Sequence, residues 1–247
     1  YYDYAMAAPM MSGKADGSLL ILGMGTGTYA KQCQYYYHPA SIEGVEIDQK
    51  ITDLAGEYFE LPESIEVTTY DGRSYLAAVQ ETYDVIMVDA YQDITIPFQM
   101  SSVEFFTLVR EHLNENGVMV VNMNMHSNTE GNINEYLADT IAAVFDYVYT
   151  VDVAGTTNRE LFATQNPEAL SLFEAGRSMV EEPELQEMLR RVSEGLVPYE
   201  KGNYLLTDDK APVELLGMQV IDDLIQRELV YYKDLFKREG IQGLLQE

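Results

Sequence analysis

Acidic side chains close three apolar runs in this 247-residue chain, and a fourth acid follows in the next loop. Glu46 lies at the end of Ile42–Ile47, Asp71 follows Ile65–Tyr70, Asp89 ends the run begun at Tyr83, and Asp93 stands just beyond it. Strand ends are where an open α/β sheet meets its ligand. An acid at position 46 can accept hydrogen bonds from ribose hydroxyls. Its plainer role is to start a helix, and Asp48 suits that role better. Asp71 precedes Gly72, a pair that also makes an ordinary turn. Asp89 needs more explaining, because a carboxylate ending a buried apolar run is costly without a partner or a function. Such a group can orient and deprotonate an amine, or bind a cation.

About twenty residues before Glu46, Ser18-Leu-Leu-Ile-Leu-Gly-Met-Gly-Thr-Gly-Thr28 runs an apolar strand into a glycine-rich turn. Glycines let the backbone approach a ligand closely, and with an acid ending the second strand they form a nucleotide-binding βαβ pattern. Gly23, Gly25 and Gly27 give G-x-G-x-G, without the third glycine of G-x-G-x-x-G at position 28. That form suits an adenosyl ligand without pyrophosphate better than a dinucleotide; a purely structural turn is the alternative. After Asp89, Ala90-Tyr-Gln-Asp-Ile-Thr-Ile-Pro97-Phe98 sets aromatic and carboxamide groups beside carboxylates. An amine pocket needs that combination of charge neutralisation and a desolvating wall. Tyr91 and Phe98 covering the sheet edge is the structural alternative. Tyr35-Tyr36-Tyr37 reads as a helix face.

The net charge of −26 argues against nucleic acid as a partner and favours cationic small molecules such as polyamines. Solubility is the plainer meaning of the same charge. With Cys33 alone, no disulfide framework or thiolate cluster can form within the chain. His38, His112 and His126 lack metal-site spacing, so no metal is expected. No apolar stretch is long enough to span a bilayer, and no signal peptide is expected among these residues. The chain starts at Tyr1 and reads as a fragment of something longer.

These residues need elements to hold them. Apolar runs at 18–22, 42–47, 65–70, 83–89 and 117–122 alternate with helical patterns at 29–37, 49–59, 72–79, 101–113 and 133–145. Asn116-Gly117 is expected to stop the fourth helix. The runs 147–153 and 160–164, joined through Gly155-Thr-Thr-Asn158, predict an antiparallel hairpin. Five βα units and a hairpin predict a Rossmann-like, seven-stranded, mostly parallel sheet of the class I adenosylmethionine-dependent methyltransferase type. The domain is expected over 1–165, with 166–247 a helical C-terminal extension packed on it.

Over residues 1 to about 165 the motifs resemble the polyamine aminopropyltransferases, spermidine synthase and its relatives. Tyr1-Tyr-Asp-Tyr-Ala-Met-Ala-Ala-Pro9 is similar to the family's Y-H-E-M-x-x-H-x-P at the Tyr, the acid and the Pro. The glycine turn, Val45-Glu-Ile-Asp48, Asp71-Gly-Arg-Ser-Tyr-Leu76 and the Asp89-ended strand follow in family order, and then Ser102-Val-Glu-Phe-Phe106. Leu206-Thr-Asp-Asp-Lys-Ala-Pro-Val-Glu214 is similar to a tail found in relatives fused to membrane-transporter-like segments.

The resemblance implies aminopropyl transfer from decarboxylated S-adenosylmethionine to a small cationic amine such as putrescine. Glu46 would hold the ribose hydroxyls and Asp71 the adenine amino group, with the Gly23–Gly27 turn beneath the nucleoside. Asp89 would act on the attacking amine, and Tyr1, Tyr91, Gln92 and Asp93 would line the substrate side. A cytoplasmic location, a homodimer and attachment to an upstream membrane segment are further expectations. Three positions depart from the family. Thr26 stands where the glycine turn carries an Asp for the donor's amine, and Ala7 replaces the opening His. The second acid of D-[ST]-x-D-P falls on Gln92, with Asp93 one residue later. The adenosyl half is matched and the amine half altered. An S-adenosylmethionine-dependent methyltransferase and a silent ligand-sensing module therefore stay open.

Overall fold

Continuous apolar runs such as Leu19–Leu22, Val85–Val88 and Val118–Val121 can be buried on both faces, which is what a parallel sheet between two helical layers requires. The computed structural model describes residues 1–91, 95–124 and 129–244. Its strands are β1 (Ser18–Leu22), β2 (Ser41–Glu46), β3 (Glu66–Thr69), β4 (Tyr83–Val88), β5 (Leu113–Met123), β6 (Tyr147–Asp152), β7 (Arg159–Thr164) and β8 (Val197–Pro198). They form one sheet in the order 3-2-1-4-5-7-6-8. The first five run parallel; β7 is antiparallel to β5 and β6, and β8 to β6. Strand order reverses between β1 and β4, so the crevice opens there.

Five helices connect these strands: α3 (Thr28–Tyr36), α4 (Gln49–Tyr58), α5 (Gly72–Ala78), α6 (Val103–Glu111) and α7 (Ile133–Ala142). Two short ones, α1 (Tyr2–Ala5) and α2 (Ala7–Met11), precede β1. The 3.6-residue period of α6 and α7 brings Phe105, Phe106, Leu137 and Ile141 onto one sheet face, against Leu22, Val88 and Val121. The other face packs Ile21, Met87, Val120 and Phe162 against Met6, Met11 and Tyr29. Beyond residue 166 come α8 (Ala169–Ser178), α9 (Pro183–Gly195) and α10 (Val213–Leu244), which bends at Gly240. α8 packs on α2 and α9 on α1. No helix among the described residues is long and apolar enough to cross a membrane.

Two expectations need correction. The sheet has eight strands rather than seven, because Val197 and Pro198 pair with Thr150 and Tyr149 at its edge. A two-residue strand containing proline gives no alternating pattern, and proline is tolerated only at such an edge. The fourth sequence-predicted helix ends before Asn116-Gly117: α6 stops at Glu111, and β5 begins at Leu113. The β4–β5 register slips between Tyr83 and Val85, absorbing the residues ahead of Gly117. Asp84 fixes the slip, accepting hydrogen bonds from Asn114 Nδ2 at 2.8 Å and Ser18 N at 3.0 Å.

Two carboxylates tie the C-terminal segment down. Asp208 receives Arg73 through two bonds of 2.7 Å, and these charge-assisted bonds pull its carboxyl down to about 2. Asp139, 1% exposed on α7, accepts from Tyr199 Oη at 2.7 Å and from the Gly202 and Tyr204 amides at 2.7 and 2.8 Å. Replacing Asp139 by Ala leaves these donors without their acceptor. The substitution should cost about 2–4 kcal/mol, read as a lower urea midpoint at unchanged m. A loss below about 0.5 kcal/mol would mean that water replaces the carboxylate freely.

Candidate active site

Strand register gathers the polar groups into a row. Leu22 is opposite Val45 and Val88, and Val88 is opposite Val121. One residue further along each strand stand Gly23, Glu46, Asp89 and Asn122. Asn122 in turn is opposite Glu160. Side chains alternate across a strand, so Glu46, Asp89, Asn122 and Glu160 share the face of Ile42, Met87, Val120 and Phe162. The row runs from β2 across β1, β4 and β5 to β7.

The glycine turn leaves β1 with Gly23 at φ +90°, Gly25 at +54° and Gly27 at +78°. Gly23 and Met24 amides both donate to Val45 O, at 2.9 and 3.0 Å. A Cβ on Gly23 would stand 2.7 Å from the Asp89 carbonyl carbon, so nothing larger fits. Glu46, 7% exposed, accepts from Gly25 N at 2.9 Å and Asp48 N at 3.1 Å. Its carboxylate thereby fixes the turn and keeps lone pairs for a ligand. Asp48 caps α4 through Lys50 N, and Asp71 caps α5 through Ser74 N. A cavity of about 590 Å³ opens over these groups. Gly23, Gly25, Glu46 and Asp71 line one part, with Ile47, Ile51 and Met100 as apolar walls. Tyr1, Tyr2, Asp89, Tyr91, Asn122 and Asn158 line the other.

Asp89 is held from two sides. Tyr1 Oη donates to one carboxylate oxygen at 2.9 Å and Asn122 Nδ2 to the other at 2.9 Å. Asn158 Nδ2 donates to Asn122 Oδ1 at 2.8 Å, which fixes the direction of the amide. Burial nevertheless raises the Asp89 carboxyl above the usual aspartate range. Burial, and then the charge of Asp89, push the Tyr2 hydroxyl up to about 12 and that of Tyr1 further still. Both phenols therefore stay protonated. Tyr91 Oη donates to Asn122 O at 2.5 Å and accepts from Asn124 N at 2.8 Å, tying the loop after β4 to β5.

Of the residues singled out in the sequence, Tyr1, Gly23, Gly25, Glu46, Asp71, Asp89 and Tyr91 meet at this cavity. Gly27 is not among the lining residues: it is the N-cap of α3, packed against Leu61. Gln92 and Asp93 lie outside the described residues. Tyr37 of the tyrosine triplet turns inward to Met6 O, and Phe98 is 51% exposed outside the cavity. Sequence reading missed Tyr2, Asn122, Asn158 and Glu160. Asn122 carried a signal like that of Asp89, a polar residue ending an apolar run. Glu160 carried a parity signal, since it alternates with Phe162 onto the buried face.

A spermine/spermidine synthase domain model matches residues 1–167. The chain belongs to the spermine/spermidine synthase family. It is 55% identical over 262 residues to the "Probable polyamine aminopropyl transferase" of Bifidobacterium longum, across 99% of this chain and 58% of that protein. With the polyamine aminopropyltransferase of Alkaliphilus metalliredigens it shares 30% identity over 127 residues, 49% of this chain and 44% of that protein. The chain spans about half the length of the curated relatives it matches. A spermidine synthase solved with the transition-state analogue AdoDATO superposes with TM-score 0.62 at 18% identity, over 73% of this chain and 67% of that one. Human methyltransferase-like protein 13, solved with SAH, gives TM-score 0.60 at 23% identity, over 78% and 90% of the two chains. The Rossmann-like, methyltransferase-type fold expected from the sequence is thus the one found.

The two cavity-lining glycines differ in what surrounds them. A Cβ on Gly25 meets nothing within 4 Å, whereas on Gly23 it meets the Asp89 backbone. Gly25→Ala should cost about 1–2 kcal/mol from its left-handed backbone, and Gly23→Ala clearly more, in parallel urea unfolding. Equal losses would contradict the close approach of β1 and the loop after β4.

Proposed function

We propose that this chain carries the catalytic domain of a polyamine aminopropyltransferase, over 1–165, with 166–247 as a helical extension packed upon it. The donor is decarboxylated S-adenosylmethionine and the acceptor a small cationic amine of the putrescine type. One observation carries the reading: the Asp89 carboxylate, gripped by Tyr1 and Asn122, faces the same cavity as Glu46 and the glycine turn. The fold also suits a methyltransferase-like protein, so fold alone does not choose between the two. An acid with a raised proton affinity beside the adenosyl half favours amine chemistry.

The donor supplies a sulfonium, a leaving group that needs no acid. Glu46 takes the ribose hydroxyls on the lone pairs its two backbone bonds leave free, and Asp71 takes the adenine amino group. Ile47, Ile51 and Met100 exclude water from the base. Asp89 accepts a proton from the acceptor's ammonium group. The freed nitrogen lone pair attacks the methylene next to sulfur, and the C–N bond forms as the C–S bond breaks. The sulfur keeps the bonding pair and leaves as a neutral thioether, while the positive charge passes to nitrogen. Orientation and the base are what the protein contributes. Its net charge of −26 draws cationic acceptors toward the cleft.

Asp89→Asn should lower kcat by about 10²-fold or more while methylthioadenosine binding, read by calorimetry, stays within about threefold. In the wild type the base works only when deprotonated. The rate should therefore fall as pH drops through the Asp89 value, which burial sets above the ordinary aspartate figure of about 3.9. A variant that keeps its full rate would remove Asp89 as the base.

A further inference from the structure

Arg73 joins two walls of the cavity to a segment outside the matched family domain. From α5, two residues past Asp71, its guanidinium donates to Gln99 O at 2.9 Å and to both oxygens of Asp208 at 2.7 Å. Asp71 and Gly72 line the cavity, and so do Pro97, Gln99 and Met100. The two groups meet at Gly72, where a Cβ would stand 3.2 Å from Met100 Cε. Asp208 lies beyond residues 1–167, the span of the family model. It also accepts from Ser102 Oγ at 2.5 Å, and its amide donates to Glu104 at 3.0 Å. Leu206 O accepts from the Val103 amide at 2.9 Å. The strap 206–208 is thus laid along the start of α6, directly after the turn that carries Gln99 and Met100.

That turn, Phe98–Met100, is three residues of 3₁₀-helix. So short a piece, with the poor hydrogen-bond geometry of its type, depends on outside partners for its position. A guanidinium suits the task. It is planar and rigid, so pairing with Asp208 through two bonds fixes where Nη1 presents its other hydrogen to Gln99 O. Lysine, a point donor on a flexible stem, sets no such direction. We propose that the Arg73–Asp208 pair is a positioning device for the nucleoside donor: the strap fixes the Arg73 fork, and the fork fixes the Gln99–Met100 wall. The inference rests on the adenosyl part of the reading above, and it makes the segment after 167 part of the donor site. Neither Arg73 nor Asp208 is among the lining residues, so both act through Gln99. A wall ordered in advance spares the ligand the cost of ordering it, and affinity rises accordingly.

The test is calorimetry of the full chain with methylthioadenosine, at a temperature where circular dichroism shows every variant folded. Arg73→Lys and Asp208→Ala should each weaken binding about fivefold or more. The double variant should bind no more than about twofold weaker than the poorer single, since the two residues form one unit. In turnover the donor KM should rise, with kcat and the acceptor KM within about twofold of wild type. Simple fastening of the tail would lower the urea midpoint and leave nucleoside affinity unmoved, a result that overturns the proposal. Losses that multiply in the double variant overturn it as well, because they make the residues independent. Should Asp208→Ala fail to fold, Arg73→Lys, which keeps the charge, decides alone by its nucleoside affinity. A wild type that does not bind methylthioadenosine overturns the adenosyl reading, and the role of the pair with it.

Discussion

The contact on which this site depends is the backbone pairing of β1 with the ends of β2 and β4. Asp89 N donates to Leu22 O at 2.9 Å, and the Gly23 and Met24 amides converge on Val45 O. These bonds exist only because Gly23 has no side chain to push the Asp89 backbone away. They place the end of a buried strand, its carboxylate and a glycine turn within one strand spacing of each other. A slip of one residue would send every side chain to the opposite face and scatter the row. The apolar layers on both sides of the sheet resist that slip, since each is close-packed against the particular side chains that this register presents to it.

Around this pairing the protein keeps an uneven set of acids. Glu46 is satisfied by two amides, Asp89 by a phenol and a carboxamide, and Glu160 by no described group. That gradient runs from the glycine turn toward β7, and burial raises the proton affinity of the last two. Elsewhere the same residue type is fully paired: Asp84 braces the β4–β5 slip, Asp139 organises the chain around residues 199–204, and Asp208 clamps Arg73. Structural acids here are saturated with donors, while Glu46 and Asp89, which line the cavity, keep capacity for a ligand. The difference separates scaffold from site more sharply than burial does.

Much of the fold was legible because local pattern and tertiary role agree. The first five strands, the helices between them and the β6–β7 hairpin each carry their own period and fall within a few residues of the expected bounds. The stop at Asn116-Gly117 failed because a register slip, a property of two strands, outweighed a local turn signal. β8 was invisible because two residues carry no period. In the site, glycine and acid spacing pointed to Gly23, Gly25, Glu46, Asp71 and Asp89. Asn122, Asn158 and Glu160 went unread because they lie about thirty to seventy residues from Asp89: the parallel β4–β5 register brings Asn122 beside it, and the antiparallel β5–β7 pairing brings the other two.

The sequence by itself determined the βα alternation, the glycine turn and which strands end in acids, because those are matters of residue type and spacing. It also determined the family, through motifs kept in order. Only the tertiary structure decided that Gly27 caps a helix instead of facing the cavity, that Asp71 caps one while facing it, and that Glu160 belongs to the line of Asp89. The physical reason is that a strand's period tells which face a side chain takes, whereas strand order and register tell which side chains it meets there.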